Sequence, residues 1–208
     1  MPRRDDIESI MVLGSGPIKI GQAAEFDFSG SQAVRALRED GYKVILVNSN
    51  PATIQNDPEM ADVVYIEPLL PDTVAKILEK ERPCALLAGM GGQTALNIAS
   101  ELSHNGTLER LGVELIGSDL DAIDKAEDRE LFNQVCESIN LPISQAVACN
   151  SIDEVIAAAK LIGSWPLLIR PAFTLGGLGG GTARDIGELV EISQLGLRNS
   201  RISQVLIE

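Results

Sequence analysis

The residues best suited to chemistry stand together at Pro166-Leu-Leu-Ile-Arg170-Pro-Ala-Phe-Thr-Leu175-Gly-Gly-Leu-Gly-Gly-Gly181. Arginine carries a planar, permanently charged fork of donors that matches phosphate oxygens. Glycines let a backbone approach an anion closely, because no Cβ intervenes and N–H groups can turn inward. Five of the six residues from Gly176 to Gly181 are glycine. The combination predicts a mobile flap over a polyphosphate, with Arg170 at its base. The same residues also fit a glycine-rich hairpin with a solvent-facing arginine, since such stretches are common in turns.

Other candidate groups are sparse. Cys84, Cys136 and Cys149 are widely spaced, with no CxxC pair. They read as reduced thiols of a cytosolic protein, not as zinc ligands. The single His104 lies in a polar Ser-His-Asn-Gly stretch and reads as a helix end. The net charge of −13 argues against DNA or RNA, whose binding is dominated by positive groups meeting phosphates. It leaves room for a small anion in a locally positive pocket. The start, MPRRDDIESIMVLG, is too short in its apolar run and too rich in acids for a secretory signal. No stretch approaches the roughly 18 apolar residues of a membrane span. The expected location is cytoplasmic.

These groups must be positioned by an aliphatic α/β scaffold. Aromatic residues are 3% of the chain and hydrophobic ones 45%, a composition that suits buried parallel strands. Apolar runs at Ile10–Leu13, Val44–Val47, Val63–Ile66, Ala85–Leu87 and Val113–Ile116 read as strands. Between them, helical spacing marks Ser31–Leu37, a helix capped by Asp72, and Thr94–Leu102. Strand–helix alternation implies a doubly wound parallel sheet with ligand-accepting turns at strand carboxyl ends, after Leu13 and Leu87. From about Asp119 the pattern changes. A long helix is expected at Ala122–Ile139 and another at Ile152–Ile162. A strand at Leu167–Ile169, a helix near Ile186–Leu197 and a strand at Val205–Ile207 follow. The domains are read as 1–120 and 121–208. The second has few strands to pair and a core expected to be marginal, as in a fragment of a longer protein.

The first glycine turn, Gly14-Ser-Gly16-Pro-Ile-Lys-Ile-Gly21, fits a dinucleotide fingerprint only loosely. Its third glycine comes late, and Asn48 stands where the ribose-binding acid belongs. Met90-Gly-Gly-Gln-Thr94 reads as close strand–helix packing in preference to substrate contact. Glu25 and Asp27 are helix-capping acids or the polar lining of an internal passage.

Five strings stand in order: GSGPIKIGQAAEFDFSGSQA (14–33), VNSNPATIQNDPEMADVVYIEP (47–68), MGGQTALN (90–97), KAEDRELF (125–132) and IRPAFTLGGLGGG (169–181). Together they resemble the amino-terminal portion of the large-chain family of carbamoyl phosphate synthetases, over essentially the whole chain. The resemblance implies a Rossmann-like preATP-grasp domain with a parallel sheet, then a small α subdomain and the start of an ATP-grasp domain. It implies an ATP-grasp ligase whose first half phosphorylates bicarbonate to carboxyphosphate. Ammonia released from glutamine by a separate small glutaminase subunit then gives carbamate. A second half makes carbamoyl phosphate for arginine and pyrimidine synthesis.

Residue by residue, Arg129, Arg170, Gly176 and Gly177 match family positions that bind ATP. Taken alone, Arg129 also fits a member of an ion pair on a solvated helix, with Lys125 and Asp128 nearby. Gly179, Gly180 and Gly181 are expected to give the flap its mobility. ATP and Mg2+ or Mn2+ are the implied cofactors, with the metal ligands and the last catalytic arginine beyond Glu208. No catalytic residue is expected within the chain. By itself it is expected not to turn over ATP, and to bind nucleotide feebly or not at all. A hetero-oligomer is implied for the complete protein, with no nucleic acid and no membrane. Ala88-Gly89 departs from the proline and threonine usual in the family, and Ser164-Trp165 adds a residue before the strand. A biotin carboxylase, or a non-catalytic binding fragment, is the alternative. The extended text from Asn48 to Thr53 and from Met90 to Asn97 favours the synthetase.

Overall fold

The structure is a computed structural model that describes residues 3–17, 25–174, 176–200 and 202–208, and for Arg129 and Glu130 the backbone alone. It divides into two compact units, Met1–Ile123 and Asp124–Glu208.

The first unit runs β1 (Ser9–Leu13), α1 (Glu25–Glu39), β2 (Lys43–Val47), a short 3-10 turn (Ile54–Asn56), β3 (Val63–Tyr65), α2 (Pro71–Glu81), β4 (Ala85–Leu87), α3 (Gly92–His104), α4 (Thr107–Leu111) and β5 (Glu114–Ile116). All five strands pair in parallel, in the order β3-β2-β1-β4-β5. Successive side chains on a strand point to opposite faces. Met11, Leu13, Ile45 and Val47 therefore pack with Val74, Leu78, Ile98 and Leu102 from α2 and α3. Ile10, Val12, Val44 and Leu46 pack on the other face with Val34 of α1. Burial on both faces explains why these strands read as unbroken apolar runs. The helix expected from Asp72 starts one residue earlier. Leu70 is its N-cap, Pro71 opens the first turn, and Asp72 lies inside that turn. Proline is suited to this position, because its missing N–H would have had no partner there.

Gly91 shows why the turn after β4 needs glycine. A Cβ there would lie 2.5 Å from Leu13 O and 2.6 Å from Gly14 O. The turn is packed against the β1 backbone, so the packing reading of Met90–Thr94 holds at Gly91.

The helix α5 (Leu120–Glu127) crosses the division, and the expected long helix does not run through. It breaks at Asp128, and α6 (Arg129–Ser138) begins anew. The Asp128 carboxylate accepts from Leu131 N at 3.0 Å, the position of an N-cap bond. Ala-Glu-Asp-Arg is thus a helix start inside an apparently continuous periodic segment.

The second unit continues with β6 (Val147–Cys149), α7 (Ile152–Ile162), β7 (Leu167–Pro171), β8 (Gly181–Ala183), α8 (Ile186–Asn199) and β9 (Val205–Ile207). Its strands pair antiparallel in the order β6-β9-β7-β8. The sequence offers too few strands because β6 and β8 are three residues each, and β8 emerges from the glycine run itself. They complete a sheet whose buried face (Leu167, Ile169, Val205, Ile207) packs with Val155 and Ala159 of α7 and Leu189 of α8. Cys149 joins this core, and burial pushes its thiol up to about 11, so it stays protonated.

Gly91→Ala should destabilise the first unit by about 1–3 kcal/mol, because backbone carbonyls cannot retreat. Gly89→Ala, with nothing within 4 Å of an added Cβ, should stay within about 0.5 kcal/mol. Urea unfolding of the two variants checks the contrast.

Candidate functional site

The alternation along β7 sets out the site. Leu167 and Ile169 are buried beneath the helices, while Leu168 and Arg170 face the other way and are exposed. Arg170 pairs with Leu206 of β9, and Leu168 exchanges backbone hydrogen bonds with Glu208. This second face of the sheet forms one wall of a cavity of about 420 Å³, closed by Phe132 and Asn133 of α6 and by Ile143. Arg170 and Glu208 share that wall, with Arg170 Nη1 donating to Glu208 Oε1 at 3.1 Å. A second cavity of about 470 Å³ lies beside the glycine segment and is lined by Arg170, Pro171, Thr174, Gly177 and Gly180. Among the described residues of that second lining, Arg170 is the one charged side chain.

The glycine segment is a hairpin connection. β7 and β8 pair directly, Ile169 opposite Gly181. The turn uses left-handed backbone at Phe173 (φ 56°), Gly176 (φ 66°), Gly177 (φ 73°) and Gly179 (φ 73°). Gly180 N closes it by donating to Gly177 O at 3.0 Å. The segment is thus a glycine-rich hairpin, with an exposed Arg170 at its base and on a cavity wall.

The expected mobility of Gly179, Gly180 and Gly181 meets a different arrangement. A Cβ on Gly179 would lie 2.9 Å from Asn199 Nδ2, and one on Gly180 would lie 2.8 Å from Ile169 O. Gly196 of α8 is equally confined, 2.8 Å from Val205 Cγ1 and 3.1 Å from Gly179 O. These glycines anchor the hairpin against α8 and β7. Open space surrounds Gly177, where a Cβ would have no neighbour within 4 Å. Gly176 and Gly177 thus lie in the free part of the turn, and Leu175 lies outside the described residues.

Arg129 opens α6, and its side chain lies outside the described atoms. Glu208 and Asn133 are among the cavity residues that motif reading does not single out. Only strand register and the α6 start bring them to Arg170.

In the first unit, the described start of the turn after β1 packs on two buried amides. Asn48 is fully buried; its Oδ1 accepts from Gly16 N (3.0 Å), and its Nδ2 donates to Gln55 Oε1 (2.7 Å). A Cβ on Gly14 would lie 2.5 Å from both Asn48 Cγ and Gln55 Oε1. These amides occupy the space beside Gly14, and Gly21, the late third glycine of the pattern, lies outside the described residues. Glu25 and Asp27 sit in the first turn of α1, where negative charge suits the helix N-terminus, and Asp27 Oδ1 accepts from Ser15 Oγ at 3.4 Å. His104 ends α3, with Nδ1 3.2 Å from Ser100 Oγ. Among the described residues, no group of three or more His, Cys, Asp or Glu side chains is placed to hold a metal ion.

Gly196→Ala should destabilise the second unit by about 1–3 kcal/mol through overpacking against Val205 and Gly179. Gly177→Ala should cost only the roughly 1–2 kcal/mol of placing a side chain at positive φ. Thermal unfolding, with protease cleavage within residues 174–178 as a local readout, tests the anchor.

Two family models match this chain. The carbamoyl phosphate synthase preATP-grasp domain covers residues 6–125, and the carbamoyl-phosphate synthase L chain ATP binding domain covers 128–208. A carbamoyl phosphate synthase large chain from Methanothrix thermoacetophila is 58% identical over 208 residues, 100% of this chain. One from Archaeoglobus fulgidus is 59% identical over the same span. The chain spans 19% of the length of each of these relatives. Among solved structures, the biotin carboxylase domain of a Hydrogenobacter thermophilus 2-oxoglutarate carboxylase, in complex with MgADP, ADP and bicarbonate, is similar in fold. Its TM-score is 0.70 at 17% identity, covering 99% of this chain and 44% of that one. A Campylobacter jejuni biotin carboxylase in complex with an ATP compound gives 0.66 at 17%, over 97% and 45%. At such identity these two show the fold alone, so the carboxylase alternative has no support beyond shared architecture. Two consecutive domain models and whole-chain identity near 58% place the chain in the carbamoyl phosphate synthase large-chain family.

Proposed function

We propose that this chain supplies the first nucleotide-contacting elements of an ATP-dependent ligase that phosphorylates bicarbonate to carboxyphosphate, on the way to carbamate and carbamoyl phosphate. The observation that carries the reading is Arg170. It stands at the end of a strand with a buried face, on a cavity wall, at the base of a glycine hairpin. In this reading the first unit is the preATP-grasp domain, and the second holds the α subdomain and the opening of the ATP-grasp domain.

The chemistry asked of these residues is modest. Phosphoryl transfer is governed by positioning and charge neutralisation. Arg170 binds nucleotide phosphate oxygens through its fork. Gly176 and Gly177 present backbone N–H groups from the free part of the turn. Position 129 is one helical turn before Phe132 and Asn133, which line the cavity. That spacing supports a phosphate-binding role for Arg129, since residues three and four apart share a helix face. Closure of the hairpin tip excludes water from carboxyphosphate, which water destroys. Magnesium, or manganese in its place, would accompany the nucleotide. The part proposed for Arg129, Arg170, Gly176 and Gly177 is phosphate contact.

The complete protein would pair with a glutaminase subunit as ammonia donor, in the cytoplasm. Among the described residues no helix is long and apolar enough to cross a membrane. In a large chain of the relatives' length, Arg170→Ala should lower bicarbonate-dependent ATP hydrolysis about a hundredfold or more, the scale of losing one preorganised charge contact. A steady-state ATPase assay reads this. Undiminished turnover would remove Arg170 from the site.

A further inference from the structure

The cavity wall that would meet the phosphates already carries a negative group. Leu168 N donates to Glu208 O at 2.8 Å, and Glu208 N donates to Leu168 O at 3.0 Å, so these two residues are directly opposed. Arg170 opposes Leu206. Residues two apart on a strand share a face, so Arg170 and Glu208 are diagonal neighbours on the cavity side, within reach of long side chains. Their ion pair spans 3.1 Å, and the Glu208 side chain is 16% exposed against 47% for Arg170. The carboxylate is therefore the more deeply set partner. Glu127 also lines this cavity, and Arg170 is the one cationic side chain among its described lining residues. Among the described lining side chains, two carboxylates face one guanidinium.

We infer that Glu208 is a specificity-determining residue of this site, an internal carboxylate that occupies the Arg170 guanidinium until a polyphosphate displaces it. The inference rests on the nucleotide reading of the cavity. A partly exposed ion pair is weak, so exchanging it is cheap. The affinity of any ligand that needs Arg170 is reduced by the fraction of molecules in which the guanidinium is already taken. A ligand that does not need Arg170 escapes this reduction. Glu208 thus sets how strongly the cavity takes a polyphosphate relative to an uncharged nucleoside. A polyphosphate wins the exchange because it offers several oxygens to the fork where Glu208 offers one contact.

The test is a titration of a large chain of the relatives' length with inorganic tripolyphosphate, ATP and adenosine, reading affinity from hydrogen-exchange protection at residues 168–171. Glu208→Gln keeps the backbone pairing and removes the charge; Glu208→Ala repeats the removal with a different side chain. Glu191→Gln, exposed on α8, makes the same change of net charge elsewhere. Both Glu208 variants should tighten tripolyphosphate and ATP about two- to fivefold, with adenosine unchanged and Glu191→Gln like the parent. Unchanged or weaker tripolyphosphate binding in the Glu208 variants, with the parent binding it at Arg170, overturns the inference and leaves the nucleotide reading standing. An equal gain in Glu191→Gln overturns it too, since net charge alone would then explain the effect. No response of Arg170 to tripolyphosphate in any of the proteins removes its phosphate role, and the inference with it.

Discussion

The two-residue alternation of β7, locked against β9, is the constraint on which the site depends. One face of the strand must bury Leu167 and Ile169 beneath α7 and α8. The pleat then leaves Arg170 no choice but the opposite face. A register slip of one residue would drive the guanidinium into an aliphatic core and expose Ile169 to water. The apolar core thereby fixes the direction of a charge with which it has no direct contact. The antiparallel pairing to β9 does the rest, bringing Glu208 diagonally to Arg170 across a separation of 38 residues.

Glycine does several physical jobs in this chain, and they differ by surroundings. At Gly91 and Gly180 it permits contact with backbone carbonyls that no Cβ could share. At Gly196 it lets α8 approach β9 and the hairpin closely. At Gly177 space is free, and the left-handed backbone is what requires it. The hairpin is thereby packed closely at Gly179–Gly181, while Gly177 has open space around it.

The start of the turn after β1 shows buried amides packed against glycine. The room that Gly14 leaves is taken by Asn48 and Gln55, and Gly16 donates its N–H to Asn48. Asn48 in turn donates to Gln55 Oε1, while Gln55 Nε2 is buried with no hydrogen-bond partner among the described residues. The chain retains the doubly wound sheet and its switch point between β1 and β4.

Much of this was legible in the residue order. The unbroken aliphatic runs determined the parallel sheet, because strands buried on both faces have no polar positions to alternate. The long motifs determined the family, and Arg170 with its glycines determined a candidate phosphate contact. Other features were decided only in three dimensions. The three-residue strands β6 and β8 carry too little pattern of their own and exist because neighbouring strands need partners. The break at Asp128 was hidden, since a cap acts through one hydrogen bond that helical periodicity does not register. Glu208 acquired its place at Arg170 through strand register, a relation between distant segments that no local spacing encodes. The split among the glycines, anchors at 179–181 and freedom at 177, followed from which atoms surround each one, and glycine itself carries no side chain to announce them.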